Sequence, residues 1–163
     1  MKTKNVDVLM GFSNRIPRTN YFYFMADLDN CNLKKVREVV KDLQETYPRW
    51  IGNIHIIRSS RGNYHLYSFY KLRKKQIMLM LFHLVEKGVL DIKYLKFSWL
   101  RPARVLRFSK KSRKGNPQYI ETIHSPLCRR KELTKMRDIT LSVLKWSKNQ
   151  KKVTILKIKK ESN

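Results

Sequence analysis

Two aspartates, Asp27 and Asp29, are the residues of this chain whose types and spacing best suit chemistry. They close an aromatic, hydrophobic run that begins at Tyr21. Successive side chains of a β-strand point to opposite faces, so a pair at i and i+2 shares one face and brings its two carboxylates side by side. Adjacent carboxylates repel each other unless a positive charge lies between them. We therefore predict a site for a divalent cation with oxygen ligands, Mg2+ or Mn2+, that serves chemistry on phosphates.

The charge of the chain indicates a polyanionic partner. Its 163 residues hold 37 Lys plus Arg but only 12 Asp plus Glu, which gives a net charge of +25. Such an excess favours binding to DNA or RNA. No long apolar run or lipidation signal indicates a membrane partner. The 42% hydrophobic content suits a folded protein, and we expect residues 1–163 to form a single domain.

The N-terminus and the cysteines bear on location. The first residues lack the apolar stretch of a signal peptide, and Cys31 and Cys128 form no C-x-x-C pair. These observations predict a cytoplasmic protein with reduced thiols.

Periodicity and turn residues predict an α+β fold with an antiparallel sheet. Apolar residues cluster or alternate in runs that we interpret as strands, and they recur every three or four residues in runs that we interpret as helices. The predicted strands span 21–29, 50–58, 64–70 and 92–99, and the predicted helices span about 33–47 and 73–87, with Asp29-Asn30 as the cap of the first. This βαββαβ order is that of ferredoxin-like folds, which include RNA-recognition (RRM-like) modules and several polymerase cores.

The residues that follow this core are predicted to extend it. Short strands are expected at 105–108 and 118–123, so that the core covers about residues 21–125. A helix over 129–148 and a strand over 153–158 would then form a basic C-terminal extension over about 129–160.

The ferredoxin-like topology predicts which of these residues meet. The first and third strands are antiparallel neighbours in it, and the fourth strand flanks the first on its other side. The end of strand one therefore lies beside the starts of strands three and four. Asp27 and Asp29 should accordingly meet His65 on strand three and Asp91 at the entry to strand four.

Three motifs, taken in order, resemble those of the archaeo-eukaryotic primase superfamily. They are DLD at 27–29, SRGNYH at 60–65, and RVLRFSKK at 104–111, which runs on to KGNP at 114–117. The first looks like the metal-binding D-x-D of that family, the second like its S-x-R-G-x-H type motif, and the third like the basic segment that follows its third catalytic acid. The resemblance covers roughly residues 21–125.

This resemblance implies metal-dependent, template-directed nucleotidyl transfer by a small primase or primase-polymerase in DNA replication. It implies that two Mg2+ or Mn2+ ions are held, for catalysis, by Asp27, Asp29 and Asp91. The residues implied to bind the incoming nucleotide are Ser60, Arg61, His65, Arg107 and Lys111. The residues expected to follow the nucleic acid backbone are Arg101, Arg104, Lys110, Arg113 and Lys114. The partners would be single-stranded template DNA or RNA, nucleoside triphosphates and other replication proteins.

The basic charge of the chain and its order of elements also suit other classes of nucleic-acid-binding protein. A non-catalytic RRM module should carry aromatic residues at three positions of strand three, which are Asn63, His65 and Ser68 here. A rolling-circle initiator needs a His-apolar-His pair, and the four histidines of the chain never stand in that arrangement. A nucleic-acid-binding accessory protein that has a primase-like fold without its activity remains the alternative.

Overall fold

The computed structural model describes residues 11–107 and 117–149. Its elements, in chain order, are β1 (Gly11–Ser13), β2 (Phe22–Leu28), α1 (Leu33–Thr46), β3 (Ile54–Ser60), β4 (Asn63–Leu72), α2 (Lys74–Glu86), α3 (Ile92–Leu100), β5 (Val105–Arg107), β6 (Gln118–Ile123) and α4 (Thr134–Asn149).

Two antiparallel sheets organise the described residues. The larger sheet has the order β2–β4–β3–β6, and the smaller pairs β1 with β5. All neighbouring strands in both sheets run antiparallel. The predicted α+β class with an antiparallel sheet is therefore confirmed, and so is the pairing of the first and third predicted strands, which are β2 and β4.

One face of the larger sheet packs against α1 and α2. The apolar side chains that α1 buries, Val36, Val39, Val40 and Leu43, recur at helical spacing, as the sequence predicted. They join Phe24, Ala26 and Leu28 from β2 and Leu66 from β4 in one large hydrophobic cluster. The cap of α1 is Asn32, whose side chain accepts a hydrogen bond from the Lys35 amide at 2.8 Å. Asn30, in the predicted cap, instead forms a turn with a positive φ of 55°.

The opposite face of the sheet carries a second, smaller core. Its buried members are Tyr23, Met25, Ile57, Tyr67, Phe69 and Leu106. Leu133 and Met136, at the start of α4, pack against this cluster. Helix α4 therefore covers part of the face that α1 and α2 leave open.

The predicted strand at 92–99 is wrong, because these residues form helix α3. Gly88, with a φ of 69°, turns the chain after α2, and the Asp91 carboxylate then caps α3 by accepting a hydrogen bond from the Lys93 amide at 2.7 Å. Residues Tyr94, Leu95 and Ser98 face inward at helical spacing. No strand therefore flanks β2 in the predicted manner within the described residues; the fourth strand of the sheet is β6, at the opposite edge beside β3.

The remaining predictions concern the C-terminal part of the chain. The short strand at 105–108 is confirmed over its described residues 105–107, as β5, and the strand at 118–123 is confirmed as β6. The helix over 129–148 is confirmed for most of its length as α4. The predicted strand at 153–158 lies outside the described residues. Among the helices of the described part, none is both long enough and apolar enough to cross a membrane.

Candidate functional site

Asp27 and His65 face each other across the β2–β4 ladder. They are direct partners in the strand register, and the Nε2 atom of His65 lies 3.4 Å from the Oδ1 atom of Asp27. The His65 side chain is buried, whereas the Asp27 side chain keeps 34% of its surface exposed. The predicted meeting of these two residues is therefore confirmed, and it follows from alternation in two neighbouring strands.

Two buried phenols, those of Tyr67 and Tyr94, lie near Asp27. Burial raises the pKa of Tyr94 to about 12, and the negative charge of Asp27 adds to this effect while the Arg104 guanidinium opposes it. Burial also raises the pKa of Tyr67, and the charge of Asp27 again contributes. Asp27 therefore lies close enough to both buried phenols for its charge to contribute to their raised pKa values.

Arg104 lies inside the protein rather than on its surface. Its guanidinium Nη1 donates to the Met25 carbonyl at 3.3 Å, and its amide donates to Oδ1 of Asn14 at 2.8 Å. Only 9% of the residue is exposed, and burial lowers the pKa of its guanidinium. This placement favours a structural role that ties the β5 segment to β2, in place of the predicted contact with nucleic acid.

Asp29 and Asp91 line one open cleft of about 450 Å³ at the end of the sheet. Asp29 lies one residue beyond β2, which ends at Leu28, so strand alternation no longer directs its side chain to the face of Asp27. Both aspartates are exposed. The two acids predicted to share a site with Asp27 thus share a cleft with each other, and Asp91 reaches it as the cap of a helix rather than as the start of a strand.

The side chains at this end of the sheet can be compared with the ligands that the expected metal ions need. The described residues contain no group of three or more His, Cys, Asp or Glu side chains that could hold a metal ion. Mg2+, however, is commonly bound by one or two carboxylates together with the phosphates of a substrate, rather than by a cage made only of protein ligands. Two exposed carboxylates in one cleft fit that manner of binding, and they do not fit a two-metal centre assembled before the nucleotide arrives.

A second cleft, of about 380 Å³, lies at the turn between β3 and β4. Its polar and positively charged lining comes from Arg58, Ser59, Ser60, Arg61 and Gln118. Gly62 forms the turn with a φ of 75°, a conformation that L side chains rarely adopt. Of the residues predicted to bind nucleotide, Ser60 and Arg61 therefore share a cleft, whereas His65 lies along β4 beside Asp27.

The β3–β4 turn also connects the two clefts. The side chain of Asn63, which lines the cleft of Asp29 and Asp91, donates to the Ser60 hydroxyl at 2.7 Å and accepts from the Asn30 amide at 3.2 Å. The Cys31 amide donates to the Gly62 carbonyl at 2.8 Å. The loop after β2 is thus bound to the turn, so that the acidic cleft and the arginine cleft keep a fixed relation.

The other predicted nucleic-acid residues fall in different settings. Arg101 is exposed, and its guanidinium lies 5.4 Å from the centre of the Phe97 ring. The backbone of Arg107 pairs with Gly11 in the smaller sheet. The predicted residues that lie outside the described part of the chain are Lys110, Lys111, Arg113 and Lys114.

Two groups of residues escaped the sequence predictions. Arg58 and Gln118 line the arginine cleft, and the only signal for Arg58 was an arginine at the end of an isoleucine-rich strand. His55 contacts Thr122 through Nδ1 and Glu132 through Nε2, each at 2.6 Å. The His55 and Glu132 side chains are both 3% exposed. Glu132 lies in a polar loop, and no local pattern marks it as buried.

Taken together, the fold and these clefts define a basic α+β protein with an antiparallel sheet that gathers acids, arginines and a histidine at one end. Comparison with protein-family models, with curated proteins and with solved structures finds no match for this chain.

Proposed function

We propose that this protein is a small nucleotidyltransferase of the primase type that binds single-stranded nucleic acid and a nucleoside triphosphate at the end of its sheet. One observation carries the proposal. Asp29 and Asp91, which are far apart in sequence, line one cleft, and the side chain of Asn63 connects that cleft to the turn of Ser60 and Arg61. Carboxylates beside an arginine-lined cleft are what a metal-bound triphosphate requires.

The residues of the arginine cleft would bind phosphate. Arg58 and Arg61 supply guanidinium groups, which form strong charge-assisted hydrogen bonds to phosphate oxygens, and Ser60 supplies a hydroxyl. The backbone around Gly62 adds a turn whose amides suit an anion. This cleft would orient the triphosphate and stabilise its charge, and positioning together with electrostatic stabilisation is what a protein contributes to phosphoryl transfer.

The acidic residues would act on the other side of the triphosphate. Asp29 and Asp91 would hold Mg2+ or Mn2+, and the ion when bound would neutralise charge on the phosphates. Oδ1 of Asp27 lies 3.4 Å from Nε2 of His65, and this contact would set the orientation of the imidazole ring. The net charge of +25 would attract the template backbone in a way that depends on salt.

A second candidate is a nucleic-acid-binding accessory protein without catalytic activity. One observation favours it, namely that the Asp91 carboxylate already accepts a hydrogen bond from the Lys93 amide as the cap of α3. Both candidates bind nucleic acid through the same basic surface. They differ only in what happens when a nucleotide and a metal ion are added.

A priming assay separates the two candidates. The protein is incubated with single-stranded DNA, labelled nucleotides and Mn2+ or Mg2+, and we expect template-dependent product in the absence of a primer. The double variant Asp29→Asn with Asp91→Asn should lose product while it still binds template. Glu38→Gln with Glu45→Gln makes the same charge change on the exposed side of α1 and should keep the activity of the parent. Template binding without any product from the parent protein would establish the accessory function instead.

A further inference from the structure

An apolar groove runs between α2 and α3, away from the clefts described above. Its volume is about 980 Å³, and its apolar walls come from Met78, Leu79, Phe82, Leu95, Trp99 and Leu100. Trp99 and Leu100 are 65% and 77% exposed. Exposing large side chains together in this way is uncommon for a surface that has no partner.

The walls of the groove are held in place. Helices α2 and α3 pack against each other. The Lys74 ammonium of α2 donates to the carbonyls of Trp99 and Arg101 at the end of α3, at 2.7 and 3.3 Å. This contact satisfies backbone acceptors that a helix C-terminus leaves open. The groove is therefore a built feature that is present before any partner arrives.

The rim of the groove is positive. Lys75 on α2 and Lys96 on α3 are exposed at its edges, and no acidic side chain is among the lining residues of this part of the structure. A partner that brings carboxylates to this rim would gain from charge complementarity, and one that brings cations would be repelled.

The positive charge of the rim disfavours two occupants that this protein could itself supply, a second copy of the chain and its own C-terminal residues. A second copy of this chain, bound through the same groove by a twofold axis, would place the two lysine rims against each other. The C-terminal residues 150–163 have an apolar pattern, but they include five lysines and a single glutamate. Either occupant would bring positive charge to a positive rim.

The aliphatic part of the lining, which we call the floor of the groove, disfavours nucleic acid. It consists of Met78, Leu79 and Leu95. Base edges need hydrogen-bond partners, and burying them against aliphatic side chains would leave them unsatisfied. Leucine or phenylalanine side chains projecting from one face of a helix suit such a floor, in the way that amphipathic helices bind apolar grooves.

We propose that the groove between α2 and α3 binds an acidic amphipathic helix of a partner protein. The apolar side chains of that helix enter the groove, and its carboxylates meet Lys75 and Lys96. The groove shares no lining residue with the clefts at the end of the sheet, so that the partner and the nucleotide would use different side chains.

The test uses the full-length protein and two labelled synthetic peptides of identical composition. Both are rich in glutamate and leucine; one places its leucines on a single helical face, and the other scrambles them. Fluorescence anisotropy should show that the amphipathic peptide binds at least about tenfold more tightly than the scrambled one, which corresponds to about 1.4 kcal/mol. Equal binding of the two peptides would mean that the net charge of the protein alone attracts them, and it would overturn the proposal.

Two matched variants locate the contact. Leu100→Glu adds a negative charge in the groove, whereas Leu127→Glu adds the same charge at another exposed leucine outside it. We expect Leu100→Glu to weaken binding of the amphipathic peptide at least about tenfold and Leu127→Glu to leave it within about twofold. Equal effects of the two variants would overturn the proposal. So would a protein dimer that Leu100→Glu dissociates, or a selective loss of single-stranded DNA binding in Leu100→Glu.

Discussion

The two faces of the four-stranded sheet are built from the same strands but bury different chemistry. The face against α1 and α2 holds a large apolar cluster that includes Phe24, Ala26 and Leu66. The opposite face buries His55 and His65 among the rings of Tyr67 and Phe69. The first face is stabilised mainly by burial of apolar area, which is not directional. On the second face, each buried polar group also needs a hydrogen-bond partner in a suitable direction.

Neighbouring residues of one strand can therefore have unrelated roles. Leu66 and His65 are adjacent in β4, and each lies opposite a residue of β2, Ala26 and Asp27 respectively. Because side chains alternate along the strand, Leu66 lies on the face that packs against α1 and α2, and His65 lies on the opposite face. Substitutions of adjacent residues on opposite faces therefore test whether the residues that stabilise the fold differ from those of the candidate site.

The largest effect on stability is expected on the face of the sheet that packs against α1 and α2. Leu66→Ala should lower the free energy of unfolding by about 2–5 kcal/mol, because it leaves a cavity in a fully buried part of the core. Urea unfolding followed by circular dichroism measures this. Leu127→Ala, at an exposed leucine, should cost less than about 0.5 kcal/mol. Similar losses for both variants would contradict the assignment of Leu66 to the main core.

A smaller loss is expected at the buried pair on the other face. Glu132→Gln should lower the free energy of unfolding by about 1–3 kcal/mol at neutral pH, because it weakens the charge-assisted contact with His55. Unfolding curves recorded for parent and variant provide the measurement.

The pH dependence of this loss has a defined sign. Burial raises the pKa of Glu132, but hydrogen bonds from His55 and Asn53 outweigh burial and hold the pKa below its ordinary value. The stabilisation is therefore fully present above the unfolded pKa of glutamate, about 4.3, and is lost as the pH falls through the lower folded pKa. The difference between parent and Glu132→Gln should shrink in that acid range; a difference independent of pH would contradict an ionised Glu132 carboxylate.

His65 should affect ligand binding more than stability. On the proposed function, His65→Ala should weaken nucleoside triphosphate binding by about tenfold, or about 1.4 kcal/mol, because it removes the ring that Asp27 would orient toward the nucleotide. Isothermal titration with a nucleotide and Mg2+ measures the affinity. His124→Ala, at an exposed histidine, is the control. An unchanged affinity in His65→Ala would remove His65 from the site.

The smallest expected effect concerns the arginine cleft. Arg58→Ala with Arg61→Ala should reduce the slope of log affinity against log salt for single-stranded DNA by about 1.4, since each lost phosphate contact removes about 0.7. The matched variant, Lys34→Ala with Lys41→Ala, makes the same charge change on exposed positions of α1. Equal slopes in the two variants would indicate a diffuse basic surface rather than phosphate contacts at the β3–β4 turn.

The sequence predicted those parts of the site that depend on local geometry. The Asp27–His65 contact needs strand alternation, which the apolar pattern predicted, and the pairing of β2 with β4, which the βαββαβ order predicted. Asp91 lies at the predicted end of the sheet, but it lies there as the cap of a helix and not at the start of a strand. An apolar run such as 92–100 suits either a strand or a buried helix, and the turn at Gly88 together with the Asp91 cap decides for the helix. Glu132 was not predictable, because its burial depends on a histidine far away in the sequence.

The sequence by itself determined the charge of this protein, the limits of most elements and the strand on which Asp27 lies. These properties follow from composition and from periods of two and 3.6 residues, which act over short distances along the chain. Only the tertiary structure decided that Asp29 joins Asp91 instead of Asp27, that Arg104 is buried, and that α2 and α3 form an apolar groove. Those outcomes depend on which segments pack together, and packing brings together residues that no local pattern connects.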